Sequence, residues 1–224
     1  MFVDKFNNIK TIDFKPIKQI YIKSLDTSLP QSLYISCCYF SGLLETLTDI
    51  QKTNPNAYII CIGYTCNDFQ IACTGTGKFK ESYSDTVIRE IFEEIDIDVD
   101  SNNIKLCSIN KSNLNKISYV YKINSSQCIS STNSRTNIIT DKKNDNKKHK
   151  FTIIIYGTLE DTIRIISSSR INHDNTDDIG FYASIHINDA ILICQKIISD
   201  NKVNSFTPYK CIDNYLYIGG TISA

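Results

Sequence analysis

The stretch "GKFKESYSDTVIREIFEEID", Gly77 to Asp96, decides how this chain is read. At about 100° per residue from Val87, the side chains of Val87, Ile91, Ile95, Ile88 and Phe92 fall within roughly 140°, a continuous apolar stripe. Glu94, Glu90, Glu93 and Arg89 fall on the other side. Ser82 followed by Asp85 has the spacing of a capping box and predicts that the helix starts there. Two readings of the acidic face compete. It could be the solvated side of an amphipathic helix. Alternatively, Glu90, Glu93 and Glu94, at i, i+3 and i+4, could turn their oxygens toward a hard cation such as Mg²⁺ or Mn²⁺.

The flanking sequence predicts strands around this helix. "AYIICIGY" (57–64) and "DFQIACT" (68–74) precede it; "NIKLCSI" (103–109) and "KISYVYKI" (116–123) follow. Upstream, residues 1–35 alternate as short strands, and "GLLETLTDIQ" (42–51) has helical spacing. Downstream, "FTIIIYGTL" (151–159) and "GFYASIHI" (180–187) read as buried strands. Asn188 is expected to cap a final helix, "DAILICQKIISD". Residues 124–150 hold few apolar anchors and end in the basic run "DKKNDNKKHK"; they are expected to form a mobile insertion. The pattern is a mixed α/β domain over 56–224, with residues 1–55 as an N-terminal extension packed on the core.

A chain of 224 residues is long enough for a substantial core, and its 24 basic and 24 acidic residues cancel. Net charge therefore promises no general attraction to nucleic acid, although a local patch is compatible with it. No apolar run is long enough to span a membrane, and no signal peptide is evident, so a cytoplasmic location is expected. Nine cysteines, without a C-x-x-C pair, read as reduced and mostly buried thiols. His149, His173 and His186 stand apart from any motif and are expected at the surface.

The order of residues around the helix carries more information than its acidity. Gly75, Glu81, Arg89, Glu90, Ile91, Glu93, Glu94 and Ile97 follow G-x5-E-x7-R-E-U-x-E-E-x-G-U, where U is a bulky aliphatic residue. Only Asp96 departs, standing in the place of the second glycine. This segment resembles the Nudix box. The resemblance implies a Nudix-like α/β/α sandwich with a mixed sheet. It also implies metal binding by Glu90, Glu93 and Glu94 with help from the Gly75 carbonyl, and orientation of those glutamates by Arg89 and Glu81. The implied chemistry is attack of water on a diphosphate linked to another moiety. Asp tolerates the left-handed conformation that the missing glycine would adopt, so the metal face is expected to survive the change. The loop "CTGTGKFKE" departs from the usual glycine pattern, which leaves substrate placement there different from the common one.

Asp96, the approach to the helix and an AT-rich residue bias together resemble the mRNA-decapping Nudix enzymes of large DNA viruses, poxviruses and mimivirus-like giants among them. That implies capped RNA as substrate and an infected host's cytoplasm as location. Holding a methylated, cationic base calls for aromatic faces and an acidic group. Tyr39, Phe40, Tyr64, Phe181 and Tyr182 are the aromatic candidates and Asp178 the acidic one. For each, an ordinary core or surface role is the competing reading. Glu160, Asp161 and Asp177 are further candidates for a carboxylate outside the box, since the 149–158 strand holds no glutamate. The basic run 141–150 could contact RNA phosphates or only solubilise a loop. Two alternatives stay open: a Nudix-fold module that binds a cap or nucleotide without cutting it, and a hydrolase of small nucleoside diphosphate derivatives.

Overall fold

The computed structural model describes residues 40–64, 68–111, 117–130, 145–168 and 179–199, together with strand segments 15–16, 21–24, 33–35, 208–212 and 215–218. In chain order the strands are β1 (Lys15–Pro16), β2 (Tyr21–Ser24), β3 (Leu33–Ile35), β4 (Tyr58–Tyr64), β5 (Asp68–Gln70), β6 (Cys73–Lys78), β7 (Ile97–Val99), β8 (Lys105–Lys111), β9 (Ile117–Asn124), β10 (Cys128–Ser130), β11 (Asp145–Gly157), β12 (Ile179–His186), β13 (Pro208–Ile212) and β14 (Tyr215–Ile218). The helices are α1 (Phe40–Thr53), α2 (Tyr83–Ile95), α3 (Leu159–Ser168) and α4 (Ile187–Ser199).

Twelve strands form one mixed sheet, and β7 pairs with β10 apart from it. β11 is the organising strand. It runs parallel to β9, with Phe151 opposite Tyr119, and antiparallel to β6 along its first half and to β4 at its end. β12 lies antiparallel between β4 and β2. Alternation along these strands explains the layers, because successive side chains point to opposite faces. Ile59, Cys61, Ile154, Ala183 and Ile185 join Leu43, Leu47 and Ile50 of α1 and Ala190, Ile191 and Cys194 of α4 in one core. Ile60, Ile62, Phe151, Ile153, Ile155 and Tyr182 join Val87, Ile91 and Ile95 of α2 and Ile165 and Ile166 of α3 in the other. The result is a three-layer α/β arrangement with both faces of the central strands buried.

Within 1–55, α1 packs on the core as expected of the extension, with Leu47 and Ile50 both fully buried. Several other expectations change here. The "CTGTGKFKE" segment is not a loop throughout: Cys73–Lys78 is strand β6. The 124–150 segment is structured at both ends, by a 3-10 turn at Ser125–Gln127, β10, and the start of β11 at Asp145. Residues 131–144 lie outside the described residues. α3 went unrecognised in the sequence; Thr158 caps it, with its hydroxyl accepting from Asp161 N–H at 3.1 Å and donating to the Asp161 carboxylate at 2.9 Å. Asn188 lies inside α4 instead of capping it, and its N–H donates to His186 Nδ1 at 3.2 Å. Among the described residues no helix is long and apolar enough to cross a membrane.

Both ends of α2 follow the sequence reading. Ser82 Oγ accepts from Asp85 N–H at 3.1 Å and donates to the Asp85 carboxylate at 2.5 Å. Asp96 closes the helix at φ 58° and ψ 43°, in the left-handed region, with its N–H donating to the Phe92 carbonyl at 3.0 Å. A glycine carries no Cβ to be strained there, so Asp96→Gly is expected to raise folding stability by about 0.5–1 kcal/mol, the relieved strain less the unfolded-chain entropy that glycine adds. Urea unfolding checks it; a variant less stable than the parent would show that the Asp96 side chain contributes more than its backbone costs.

The cysteines with described side chains behave as the composition suggests. Cys61, Cys73, Cys128 and Cys194 are free and buried, and Cys107 is free and exposed. Burial pushes the Cys128 and Cys194 thiols up to about 12. Of these five, Cys107 alone is expected to react with iodoacetamide in the native protein at pH 8, with the others labelled only after unfolding, as read by peptide mass mapping.

Candidate functional site

The site grows from one geometric fact about the sheet. β6 pairs with β11 along one edge, and its other edge faces α2. An uncovered edge would leave backbone donors and acceptors without partners. Here side chains around α2 take them. Thr74 N–H donates to Glu94 Oε2 at 3.2 Å, Thr76 N–H to Glu90 Oε1 at 3.0 Å, and Lys78 N–H to Glu81 Oε2 at 3.2 Å. The Thr76 carbonyl accepts from Arg89 Nη2 at 3.0 Å. Strand and helix are thus joined through carboxylates.

Arg89 stands at the centre of this join. Its Nε and Nη2 meet the two oxygens of Glu81 at 2.8 and 2.9 Å, the bidentate geometry that a planar guanidinium favours. Nη1 donates to Glu90 Oε1 at 2.8 Å and to Glu93 Oε2 at 2.9 Å. Thr86 Oγ1 adds a bond to Glu81 Oε2 at 2.8 Å. Arg89, Glu90 and Glu94 are only 8%, 9% and 6% exposed, while Ile88 and Phe92 are half-buried. The buried face of α2 therefore takes in Glu90 and Glu94 beside Val87, Ile91 and Ile95 of the apolar stripe, and leaves Ile88 and Phe92 at its margin. A solvated acidic face is the reading that fails.

Burial shapes the protonation of this cluster. It pushes the Glu90 carboxyl up to about 7, helped by the neighbouring Glu93 charge and opposed by Arg89. Burial also works against Glu81, but hydrogen bonds from Arg89 and Thr86 outweigh it and hold the carboxyl below its usual range. Arg89 loses solvation too; the attraction of Glu81, Glu90 and Glu93 more than offsets that loss and pushes its pKa up.

Gly75 has a definite steric reason to be glycine. A Cβ there would overlap the Glu90 side chain, so β6 can approach α2 only without one. Gly75→Ala is expected to destabilise the fold by about 2–3 kcal/mol, because Glu90 must leave Thr76 N–H and Arg89 together. An alanine variant that unfolds at the parental urea midpoint would show that Glu90 can yield without cost.

Whether these residues suit a divalent cation can be tested on their chemistry. Glu93 Oε1 is buried with no hydrogen-bond partner; Lys78 Nζ stands 3.8 Å away, beyond hydrogen-bond range. An all-oxygen donor set with one buried unsatisfied carboxylate oxygen suits a hard cation. Among the described residues, however, no three Asp, Glu, His or Cys side chains converge on a common point. The physical reason is Arg89, which draws Glu81, Glu90 and Glu93 to itself, while Glu94 turns to Thr74. The donor chemistry fits, and the cluster as it stands is held by the guanidinium.

The aromatic candidates fare differently. Tyr182 must be corrected: it is 1% exposed, its ring lies in the core under α2, and its hydroxyl donates to the Glu94 carbonyl at 2.5 Å. It braces the helix and offers no face to a base. Phe40 opens α1, Tyr64 ends β4 and Phe181 lies in β12 opposite Gly63, with their side chains outside the described set. Tyr39 and Asp178, along with His173 and Asp177, lie outside the described residues. Glu160 and Asp161 sit in the first turn of α3, where Asp161 belongs to the cap.

A different aromatic group emerges beside the carboxylates. Tyr83, at the start of α2, packs on Tyr119 at 4.6 Å between ring centroids and lies 5.7 Å from His149. The Tyr119 hydroxyl meets the Tyr83 hydroxyl at 3.0 Å and His149 Nδ1 at 3.1 Å. His149, expected at the surface, is half-buried here. The sequence held one signal of this: Tyr119, His149 and Phe151 occupy alternate positions on neighbouring strands, but their pairing register was not visible in it.

Fold and site together define a mixed α/β protein whose edge strand is locked to one helix by an arginine-centred carboxylate cluster. No protein-family model, curated protein or solved structure matches the chain.

Proposed function

We propose that this chain is a metal-dependent hydrolase of the Nudix type that cleaves a nucleoside-diphosphate linkage, with the 5′ cap of mRNA as its favoured substrate. The observation that carries the reading is the Arg89 network: Gly75, Glu81, Arg89, Glu90 and Glu93, spaced in sequence as in the Nudix box, meet at one place. Glu90, Glu93 and Glu94, with the Gly75 carbonyl, would hold Mg²⁺ or Mn²⁺. Such a cation neutralises phosphate charge and lowers the pKa of an attacking water. Arg89 and Glu81 orient the glutamates, and bonds to β6 hold Glu90 and Glu94 in place while Glu93 is hydrogen-bonded by Arg89 alone. Glu93, at 22% side-chain exposure, is the glutamate of the three that solvent reaches most readily.

A second reading has its own observation. The carboxylates of Glu81, Glu90 and Glu94 already serve β6, so the cluster would be retained in a module that binds a cap or nucleotide without cutting it. One assay separates the two readings. Incubation with Mg²⁺ or Mn²⁺ and cap-labelled RNA is expected to release m7GDP. Retention of the labelled RNA without release would establish the binding module. Turnover of ADP-ribose or diadenosine polyphosphate alone would assign a small-nucleotide hydrolase.

A further inference from the structure

The β6–α2 connection carries features that neither the fold nor the carboxylate cluster uses. Phe79 is 69% exposed, more than any other described large apolar residue but Ile129, so its ring contributes little to the core. Lys80 follows at φ 68°, a left-handed conformation that a lysine adopts only under strain, and it holds its Nζ 5.6 Å from the Phe79 ring centroid. Tyr83 is 45% exposed, and its hydrogen bond with the Tyr119 hydroxyl and ring contacts with Tyr119 and His149 hold the ring in place. Half-buried Lys150 follows His149 in β11, its Nζ donating to Thr76 Oγ1 at 2.7 Å, whereas Lys78 is 18% exposed and turns its Nζ to within 3.8 Å of Glu93 Oε1. The basic run foreseen as part of a mobile loop is instead strand from Asp145 onward, and Asp145 pairs with Lys78. That register carries positions 147–150 alongside the end of β6.

Exposed rings interleaved with lysines are the surface chemistry that single-stranded nucleic acid recognises: bases stack on the rings and phosphates meet the cations. A protein partner would not need a row of cations, and a chain of zero net charge confines the attraction to this patch. We propose that Phe79, Lys80 and Tyr83, with His149 and Lys150, bind the single-stranded polynucleotide that continues from the diphosphate. The inference rests on the hydrolase reading only for where that diphosphate lies. It deepens that reading by making a polynucleotide, and not a free nucleotide, the fitting substrate class. The strain at Lys80 has a use on this account: it turns the ammonium over the ring that a base would share.

The test needs neither metal nor turnover. Fluorescence anisotropy with a labelled, uncapped, 5′-phosphorylated oligouridine of about 16 nucleotides, in EDTA and at low salt, reads binding alone. The full chain is expected to bind it. Phe79→Ser is expected to weaken binding about tenfold by loss of one stacked base, and Lys80→Gly to weaken it and flatten the salt dependence. Lys52→Ala, an exposed lysine on α1, is expected to leave affinity as in the parent. Both surface variants should melt at or above the parental temperature, since Phe79 is exposed and glycine relieves the Lys80 backbone. Absence of binding by the parent overturns the proposal. So does parental affinity in Phe79→Ser and Lys80→Gly, or an equal loss in Lys52→Ala. Binding that these variants weaken, in a protein that hydrolyses nothing, leaves the proposal standing and sinks the hydrolase. Turnover of a dinucleotide by a protein that ignores the oligonucleotide does the reverse.

Discussion

Arg89→Met is expected to lower folding stability by about 3–5 kcal/mol, the cost of removing one partner from a buried ionic network. The reason lies in what remains. Glu81, Glu90 and Glu93 all bond this one guanidinium, which is 8% exposed, and methionine fills its volume without replacing any of its donors. Glu90, already pushed up to about 7 by burial, loses its main counter-charge and would take up a proton. Glu81 keeps bonds from Lys78 N–H and Thr86, and Glu90 keeps the one from Thr76 N–H, so both are partly compensated and Glu93 is left with no hydrogen bond. Arg89→Lys should recover part of the loss and not all, because an ammonium cannot present the parallel pair that Glu81 receives. Urea unfolding at pH 7 measures both variants. A methionine variant within about 1 kcal/mol of the parent would show that the cluster contributes little to folding.

Glu93→Gln should separate catalysis from stability. The expected loss in turnover of capped RNA is on the order of a thousandfold, ~4 kcal/mol of transition-state stabilisation, because the amide cannot donate a charged oxygen to a divalent cation. The same substitution should leave the melting temperature within a few degrees of the parent. Its amide oxygen can still accept from Arg89 Nη1 in the place of Glu93 Oε2, and Oε1 has no hydrogen bond to lose. EDTA should abolish parental turnover and excess Mg²⁺ or Mn²⁺ restore it. Turnover within about threefold of the parent, measured with the fold intact, would remove Glu93 from the metal set and favour the binding module.

Much of α2 was legible before folding because its signals are local. Ser82 and Asp85 are three residues apart, and their reciprocal bonds depend on that spacing alone. Asp96 was recognisable as a residue able to stand in for a left-handed glycine, and it adopts that conformation. The central strands were legible because both of their faces are buried, leaving long apolar runs such as Phe151–Tyr156. The α3 helix was missed because its apolar residues are few and the preceding strand's apolar run masks its start, although the Thr158–Asp161 cap was there to see.

What the sequence could not convey is where a helix face points. Helical periodicity put the apolar stripe inward and the glutamates outward, as it would for a helix resting on an apolar sheet. α2 does rest Val87, Ile91 and Ile95 on the sheet, but it also lies beside the edge strand β6, whose N–H groups need acceptors, so Glu90 and Glu94 are drawn inward and Ile88 and Phe92 stay half-buried. In the same way, Tyr182 resembled a candidate base-stacking ring until the β4–β12 register set it beneath α2. The sequence by itself determined which residues are spaced for one another: the capping pair, the arginine among its glutamates, and the glycine ahead of them. Tertiary structure decided which backbone groups lay opposite them. Spacing is a property of the chain, and burial is a property of the neighbours that folding supplies.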